Sequence, residues 1–411
     1  MNKHHLIEKK VIVGEDWKDY KLLSLTKEGI IYRDVESGKG KFPESFDTYK
    51  SVESGDIIIC LYDIEETPRT VGLSDLVGMI SGSYQIYEPH NMVGRFFYYW
   101  YLSIDNDKGL KPYYTGLRNV VRPPTFLSLP LYLPPLNEQH QIVSYLDNKT
   151  SSIDSLIRSK EKKIELLKEK RTSLINQVVT KGLNPDVEMK DSGVEWIGNI
   201  PKGWDVVSLK RLGELYGGLT GKSGDDFRSE DNPNNKPYIP YTNISNNTYI
   251  SKNHFHQVVV NEDENQNRVE KYDLFFLMSS ETYEDLGKPC ILIDDVDELY
   301  LNSFCKGFRI TQKDIFPLFL NYQLLGDIHK KMISVEGQGF TRINLRQDRL
   351  KELPIFLPPL NEQHQIVSYL DKETKLIDET ISSEQKKIEL LKEYKQSLIS
   401  EVVTGKRKVL E

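Results

Sequence analysis

The sequence predicts an α+β chain: two mixed α/β domains separated by two long antiparallel coiled-coil helices, the halves related by a pseudo-twofold internal repeat. Three observations predict it. A fifteen-residue string, LPPLNEQHQIVSYLD, stands at Leu133–Asp147 and again, letter for letter, at Leu357–Asp371. Behind each copy runs an apolar stripe in steps of four and three. Ahead of each lies a stretch of short β-like runs broken by Gly, Asn, Ser and Pro.

The repeat continues past the string. Lys162–Glu169 and Lys386–Glu393 both read KKIELLKE, and Val178–Thr180 and Val402–Thr404 both read VVT, at one sequence offset of 224. A repeat of this length sets the architecture before any single residue is weighed. If one half has a task, the other performs a related one.

Each repeated element reads as a long helix that needs a partner. The Leu-Pro-Pro before it is extended, because a residue preceding proline is pushed out of the helical region. Asn137 suits an N-cap, and Glu138 suits the positive end of the helix dipole. The stripe then runs Leu146, Thr150, Ile153, Ile157, Lys160, Ile164, Leu167, Arg171, Leu174 and Val178. Its second copy runs Leu370, Thr374, Ile377, Ile381, Glu384, Ile388, Leu391, Lys395, Leu398 and Val402. Sustained heptads of this kind are a coiled-coil seam. A helix over 137–180 would be roughly 66 Å long, and one so long needs a partner to bury its stripe. The simplest partner is its own repeat, run antiparallel. Lys160 and Glu384 then fall near the seam's midpoint. Either they meet and help fix the register, or both heads reach out to solvent.

Outside the helices the repeat is weak. Asp16-Trp17 ahead of KDYKLLSL resembles Gly203-Trp204 ahead of DVVSLKRL, and Arg118 and Arg122 share their offset with Arg342 and Arg346. Runs at Asp56–Tyr62, Val77–Tyr87, Asp273–Met278, Cys290–Ile293 and Gly307–Ile310 read as strands of largely antiparallel sheets. Helical stretches follow at Val93–Ile104 and Ile315–Ile333. The resulting plan is a domain over 1–134, a helix over 135–181, a linker over 182–203, a domain over 204–357, a helix over 358–405 and a tail over 406–411, with Gly182 stopping the first helix.

Composition narrows the function. No stretch approaches twenty apolar residues and the start, MNKHHLIEKK, has no apolar run, so a cytoplasmic protein is expected. Cys60, Cys290 and Cys305 form no CxxC pair, which fits reduced thiols and gives no metal site. A net charge of −7 confines any nucleic-acid contact to local basic faces.

A search for catalytic motifs finds none. Gly217-Gly218-Leu219-Thr220-Gly221-Lys222-Ser223 is one residue short of a phosphate-binding P-loop. Pro185-Asp186 with Glu188-Met189-Lys190 echoes a nuclease set but sits in a linker without a strand. The Pro-Pro pairs in RPPT and LPPL lack the flanks of an adenine methyltransferase motif. His140 and His364 stand in the first turn of a repeated structural helix. No catalytic residue and no metal ligand is expected.

The LPPLNEQ segments, the duplicated domain–helix plan and the linker Gly193-Val194-Glu195-Trp196-Ile197-Gly198-Asn199-Ile200-Pro201-Lys202-Gly203-Trp204 resemble the DNA-specificity subunit of type I restriction–modification systems. The resemblance covers essentially the whole chain. It departs at the start, where only Glu15-Asp16-Trp17 stands for the IPxGW entry of the second domain. It implies two target-recognition domains, each reading one half of a split, asymmetric site in double-stranded DNA. It also implies paired helices that set the gap and dock two methyltransferase subunits, and a motor-nuclease subunit that joins them. S-adenosylmethionine would belong to the methyltransferase, ATP and Mg to the motor-nuclease, and no cofactor to this chain.

Candidate DNA contacts are Arg33, Lys39, Lys41, Lys111, Arg118 and Arg122 in the first domain. In the second they are Lys222, Asn243, Arg342, Asn344, Arg346 and Gln347. Lys and Arg suit phosphates, Arg suits guanine, and Asn or Gln suits adenine. The rival reading is a coiled-coil protein–protein adaptor without DNA sequence specificity.

Overall fold

The computed structural model describes residues 5–34, 45–195, 197–227, 232–339 and 342–409. Lys39, Lys41 and Trp196 lie outside these residues. The chain divides into two compact units, Met1–Lys162 with Glu384–Glu411, and Lys163–Ser383.

In the first unit, the strand Ile57–Ile59 lies in a four-stranded antiparallel sheet, ordered Leu6–Lys9, Gln85–Pro89, Ile57–Ile59, Val71–Leu73. All three isoleucines of the strand are fully buried, because both faces of the sheet are covered. The expected run Val77–Tyr87 is two strands, Gly78–Ile80 and Gln85–Pro89, parted by a turn. Helix α1 (Gly94–Asn106) buries Phe96, Phe97, Trp100, Tyr101 and Leu102. A short α2 (Pro123–Ser128) follows, and then α3 (Leu136–Lys181).

In the second unit, a five-stranded sheet runs in the order Gly213–Gly217, Cys305–Ile310, Leu274–Leu277, Pro289–Leu292, Tyr249–Ile250. Its pairings are antiparallel except the last. The strand Leu274–Leu277 is buried on both faces. Leu274 and Phe276 enter a core with Trp204, Phe308, Phe319 and Phe356, while Phe275 and Leu277 enter a second with Ile239, Cys290 and Leu301. The helices are α4 (Tyr241–Asn246), α5 (Pro317–Leu325), α6 (Asp327–Val335), α7 (Gln347–Lys351) and α8 (Leu360–Val403). The helical stretch expected over Ile315–Ile333 is thus two helices, broken at Gly326. Residues 182–203 are more than a linker, since Met189–Asp191 and Asn199–Pro201 pair as an antiparallel hairpin.

The repeated string is a joint between domain and helix. Gln139 and Gln363 are buried. The Gln139 Oε1 accepts the Val93 N–H at the start of α1 (2.8 Å), and its Nε2 donates to the Pro134 carbonyl (2.8 Å). Gln363 does the same for α5, accepting the Phe316 N–H (2.7 Å) and donating to Pro358 and Asp314 (both 2.9 Å). Two turns on, Asp147 accepts the Tyr99 hydroxyl (2.6 Å) and Asp371 the Tyr322 hydroxyl (2.7 Å). The long helices begin at Leu136 and Leu360, so Asn137 lies inside the first turn rather than capping it. The glutamines tie the joint instead: each accepts an N–H at the start of the neighbouring helix and donates to the proline carbonyl ahead of its own.

Both units pair a piece of α3 with a piece of α8, antiparallel. In the first unit Leu146, Ile153, Ile157, Ile388 and Leu398 are buried and Leu391 half-buried. In the second unit Ile164, Leu370 and Ile377 are buried, and Leu167, Leu174 and Ile381 are half-buried. Asp154 meets Lys395 (2.7 Å) and Lys160 meets Glu384 (2.7 Å) in the first unit; Arg171 meets Asp378 (3.0 Å) in the second. Gly182, at φ +73, ends α3, and its amide donates to the Val178 carbonyl (3.0 Å).

Candidate nucleic-acid interface

Each unit carries a loop closed by a backbone bridge just before a short helix. In the first unit, Thr115 and Val120 exchange backbone hydrogen bonds (2.9 and 3.0 Å) across a tight turn. Gly116 (φ +71) and Asn119 (φ +45) sit in the left-handed region that such a turn requires, and Leu117 at its tip is fully exposed. In the second unit, Gln338 and Asn344 exchange the corresponding bonds (3.1 and 2.8 Å). Arg122 is the residue before α2 and Arg346 the residue before α7. Both units thus place an arginine, Arg118 or Arg342, between two residues joined by backbone hydrogen bonds.

Both loops carry a guanidinium over an aromatic ring. Arg118 lies 5.4 Å from the Tyr62 ring centroid, and Arg342 lies 5.9 Å from that of Phe304. Such a contact holds the planar head in place while its edges stay available. The similarity ends there. Arg118 forks onto Asp63 through Nε (3.1 and 3.2 Å) and Nη2, and this holds the Asp63 carboxyl below the usual carboxylate range. Arg342 instead borders an open cavity of about 350 Å³, lined by Tyr241, Ser280, Glu281, Asp285 and Phe304. Phe304 is itself exposed, as is Tyr283 close by in sequence to the lining residues.

The remaining candidates fall in several places. Arg33 is exposed after the strand Gly29–Tyr32, and Arg122 is exposed. Lys111 is exposed and 3.2 Å from Glu65. Asn344 is exposed on the short strand Ile343–Asn344, with its amide 3.4 Å from the Arg342 carbonyl. Gln347 is exposed in the first turn of α7. Arg346 is engaged by Asp348 through two bonds (3.0 and 2.7 Å).

Two of the candidate DNA contacts are engaged within the fold. The Lys222 side chain is only 5% exposed, bonded to Glu264 (2.6 Å), whose carboxyl it pulls down to about 2 with help from the Asn261 amide. A lysine already satisfied in this way offers no free charge to a phosphate. Asn243 lies within α4 and spends its amide on the His254 carbonyl (2.5 Å), so it ties a loop rather than facing a base. Sequence reading missed Tyr62, Phe304 and Leu117. The only signal for them was aromatic or apolar residues in otherwise polar loops.

Among the described residues no group of three or more His, Cys, Asp and Glu is placed to hold a metal ion, and no helix is long and apolar enough to cross a membrane. The three cysteines are buried; burial pushes the Cys290 and Cys305 thiols up to about 12.

A family model, the type I restriction modification DNA specificity domain, matches residues 71–166 and 201–393, which takes in both loop devices. The chain belongs to this family. Its relatives include the type I restriction enzyme MjaVIII specificity subunit of Methanocaldococcus jannaschii, 28% identical over 304 residues. That match covers 72% of this chain and 66% of the relative, just under two thirds of its length. A chain solved in work on complex assembly and conformational transition of the type I R-M system shares the fold, with a TM-score of 0.72 at 15% identity, covering 100% of this chain and 97% of that one. The HsdS subunit from Thermoanaerobacter tengcongensis gives a TM-score of 0.52 at 15% identity, with coverages of 99% and 96%. The two mixed α/β domains and two long helices are thus a fold that this chain shares with both.

Proposed function

We propose that this chain is the DNA-specificity subunit of a type I restriction–modification complex. Each unit reads one half of a bipartite, asymmetric site in double-stranded DNA. The observation that carries this reading is the repeated loop of Thr115–Val120 and Gln338–Asn344. It lies within the family match and presents an arginine at equivalent positions of both halves. Phosphate contacts from exposed basic residues would give affinity, and the edges of side chains such as Arg342 and Asn344 would give specificity.

On this reading the paired lengths of α3 and α8 set the gap between half-sites and dock two methyltransferase subunits. S-adenosylmethionine stays with those partners, ATP and Mg with a motor-nuclease subunit, and the chain itself performs no chemistry. The setting is the cytoplasm, where the DNA is.

The test is the complex reconstituted with its methyltransferase subunit. Mapping N6-methyladenine in DNA modified by it should give a split motif of two short halves and a fixed gap. Replacing residues 204–357 by the equivalent domain of another family member should change one half and leave the other. An unchanged motif would refute the division of labour. A complex without preference for any duplex would favour the adaptor reading instead.

A further inference from the structure

The ion pairs Asp154–Lys395, Arg171–Asp378 and Lys160–Glu384 between α3 and α8 are of two kinds under the repeat. Asp154 and Asp378 occupy equivalent positions, as do Arg171 and Lys395. Asp154–Lys395 and Arg171–Asp378 are therefore one contact made twice, once in each unit. Lys160 and Glu384 are different. They stand 224 residues apart, so they are equivalent to each other, and yet carry opposite charge and meet at 2.7 Å.

This matters for what else the helices could pair with. The apolar seam has the same occupant at each repeated position, from Ile153 and Ile377 to Leu174 and Leu398. An α3 set antiparallel against the α3 of a second copy would keep that seam. It would also keep the flanking ion pairs, Asp154 meeting Arg171 at both ends. Two α8 helices would likewise match Asp378 with Lys395. Among these three pairs, the central one tells the combinations apart. There Lys160 would meet Lys160, or Glu384 would meet Glu384.

The central charges are placed to be felt. The Glu384 side chain is 5% exposed and that of Lys160 is 25% exposed, so water screens their contact poorly. Lys387 lies 3.3 Å from Glu384 and would soften an acid–acid clash. On α3 the equivalent residue is Lys163, which adds positive charge to a lysine–lysine clash. Self-pairing of α3 is the combination most strongly disfavoured.

We propose that the Lys160–Glu384 pair is a pairing selector, admitting α3 against α8 and rejecting like helices from a second copy of this chain. A single charged position inside an apolar seam is a known way to set partner choice at some cost in stability. The proposal is independent of the DNA-specificity reading, and its test needs neither DNA nor a partner subunit.

The experiment uses full-length chains with two different tags. Lys160→Glu and Glu384→Lys each place like charges together, so each variant alone melts below the parent. Unfolded and refolded as a mixture, the two variants complement one another, α3 of one with α8 of the other. Native mass spectrometry should then find mixed-tag dimers about tenfold or more above those of either variant alone. The double variant, with the charges exchanged, should return to the parent's melting point and oligomeric state. Single variants that melt with the parent would overturn the proposal. So would destabilised variants whose mixture gains no mixed-tag dimer, since the pair would then contribute stability without choosing a partner.

Discussion

Gln139 on α3 accepts the Val93 N–H at the start of α1, 46 residues earlier in the chain. Gln363 makes the corresponding bond to Phe316 at the start of α5. One buried amide thus closes a helix N-terminus and fixes the angle at which each domain meets its long helix. Gln363→Ala would leave the Phe316 N–H and the Pro358 and Asp314 carbonyls without their partner, a loss of about 1–3 kcal/mol. Hydrogen exchange should accelerate in the first turn of α5 and leave that of α1 unchanged. Gln139→Ala should do the converse. Equal exchange in both turns for either variant would show that the glutamine does not hold the joint.

His329 gives the second unit a pH dependence. It lies on α6, buried against Phe356 of the strand Pro354–Leu357; its Nε2 lies 2.7 Å from the Pro354 carbonyl, and burial pushes its pKa down to about 4. The unfolded chain takes up the proton near pH 6.5, whereas the folded chain resists it. The stabilising effect of neutral His329 is therefore complete above about pH 6.5 and is lost as pH falls toward 4, at about 1.4 kcal/mol per pH unit. His329→Gln should flatten the fall in melting temperature over that window relative to the parent. Parallel curves for the two proteins would refute the assignment.

Lys222 and Arg342 should separate stability from recognition. Lys222→Ala leaves Glu264 without its cation, though not without its hydrogen bonds from Asn261 and Gln266, and should lower the stability of the second unit, while the salt dependence of DNA binding by the assembled complex stays as it was. Arg342→Ala should leave stability nearly unchanged and weaken binding by about 1–3 kcal/mol if the guanidinium reads a base. The loss should then concentrate at one position of one half-site. A uniform loss with a shallower salt slope would make Arg342 a phosphate contact instead.

These cases show why the helices were legible in the sequence and the interface was not. A seam is a local pattern: Ile153, Ile157 and Ile164 announce their common face by spacing alone, and all three are buried. Spacing plus the offset of the repeat also brought Lys160 and Glu384 to the middle of the seam, but left open whether they meet or reach out to solvent; they meet. Arg118, Arg346 and Lys222 looked alike as basic loop residues. What distinguishes them is Asp63, Asp348 and Glu264, and for Arg118 and Lys222 the acid stands in a distant part of the chain. The glutamines were hidden for a related reason. A polar residue in the first turn of a helix reads as solvated until the buried N–H it serves is known.

Asp147 and Asp371 close the same repeated string but answer to different partners. Asp147 accepts from the Tyr99 hydroxyl and from Arg95 (2.7 Å). Asp371 accepts from two tyrosine hydroxyls, Tyr322 (2.7 Å) and Tyr249 (3.1 Å). An amide can still accept a hydroxyl proton but cannot balance a guanidinium. Asp147→Asn should therefore cost stability mainly through the Arg95 pair, about 0.5–1 kcal/mol at low ionic strength given how exposed both side chains are. Raising the salt to about 1 M shortens the screening length to about 3 Å and should erase most of that difference from the parent. Asp371→Asn should show a small cost that salt does not change. The same salt response in both variants would mean that Arg95 contributes nothing to the joint, and that the two aspartates are held by tyrosine hydroxyls alone.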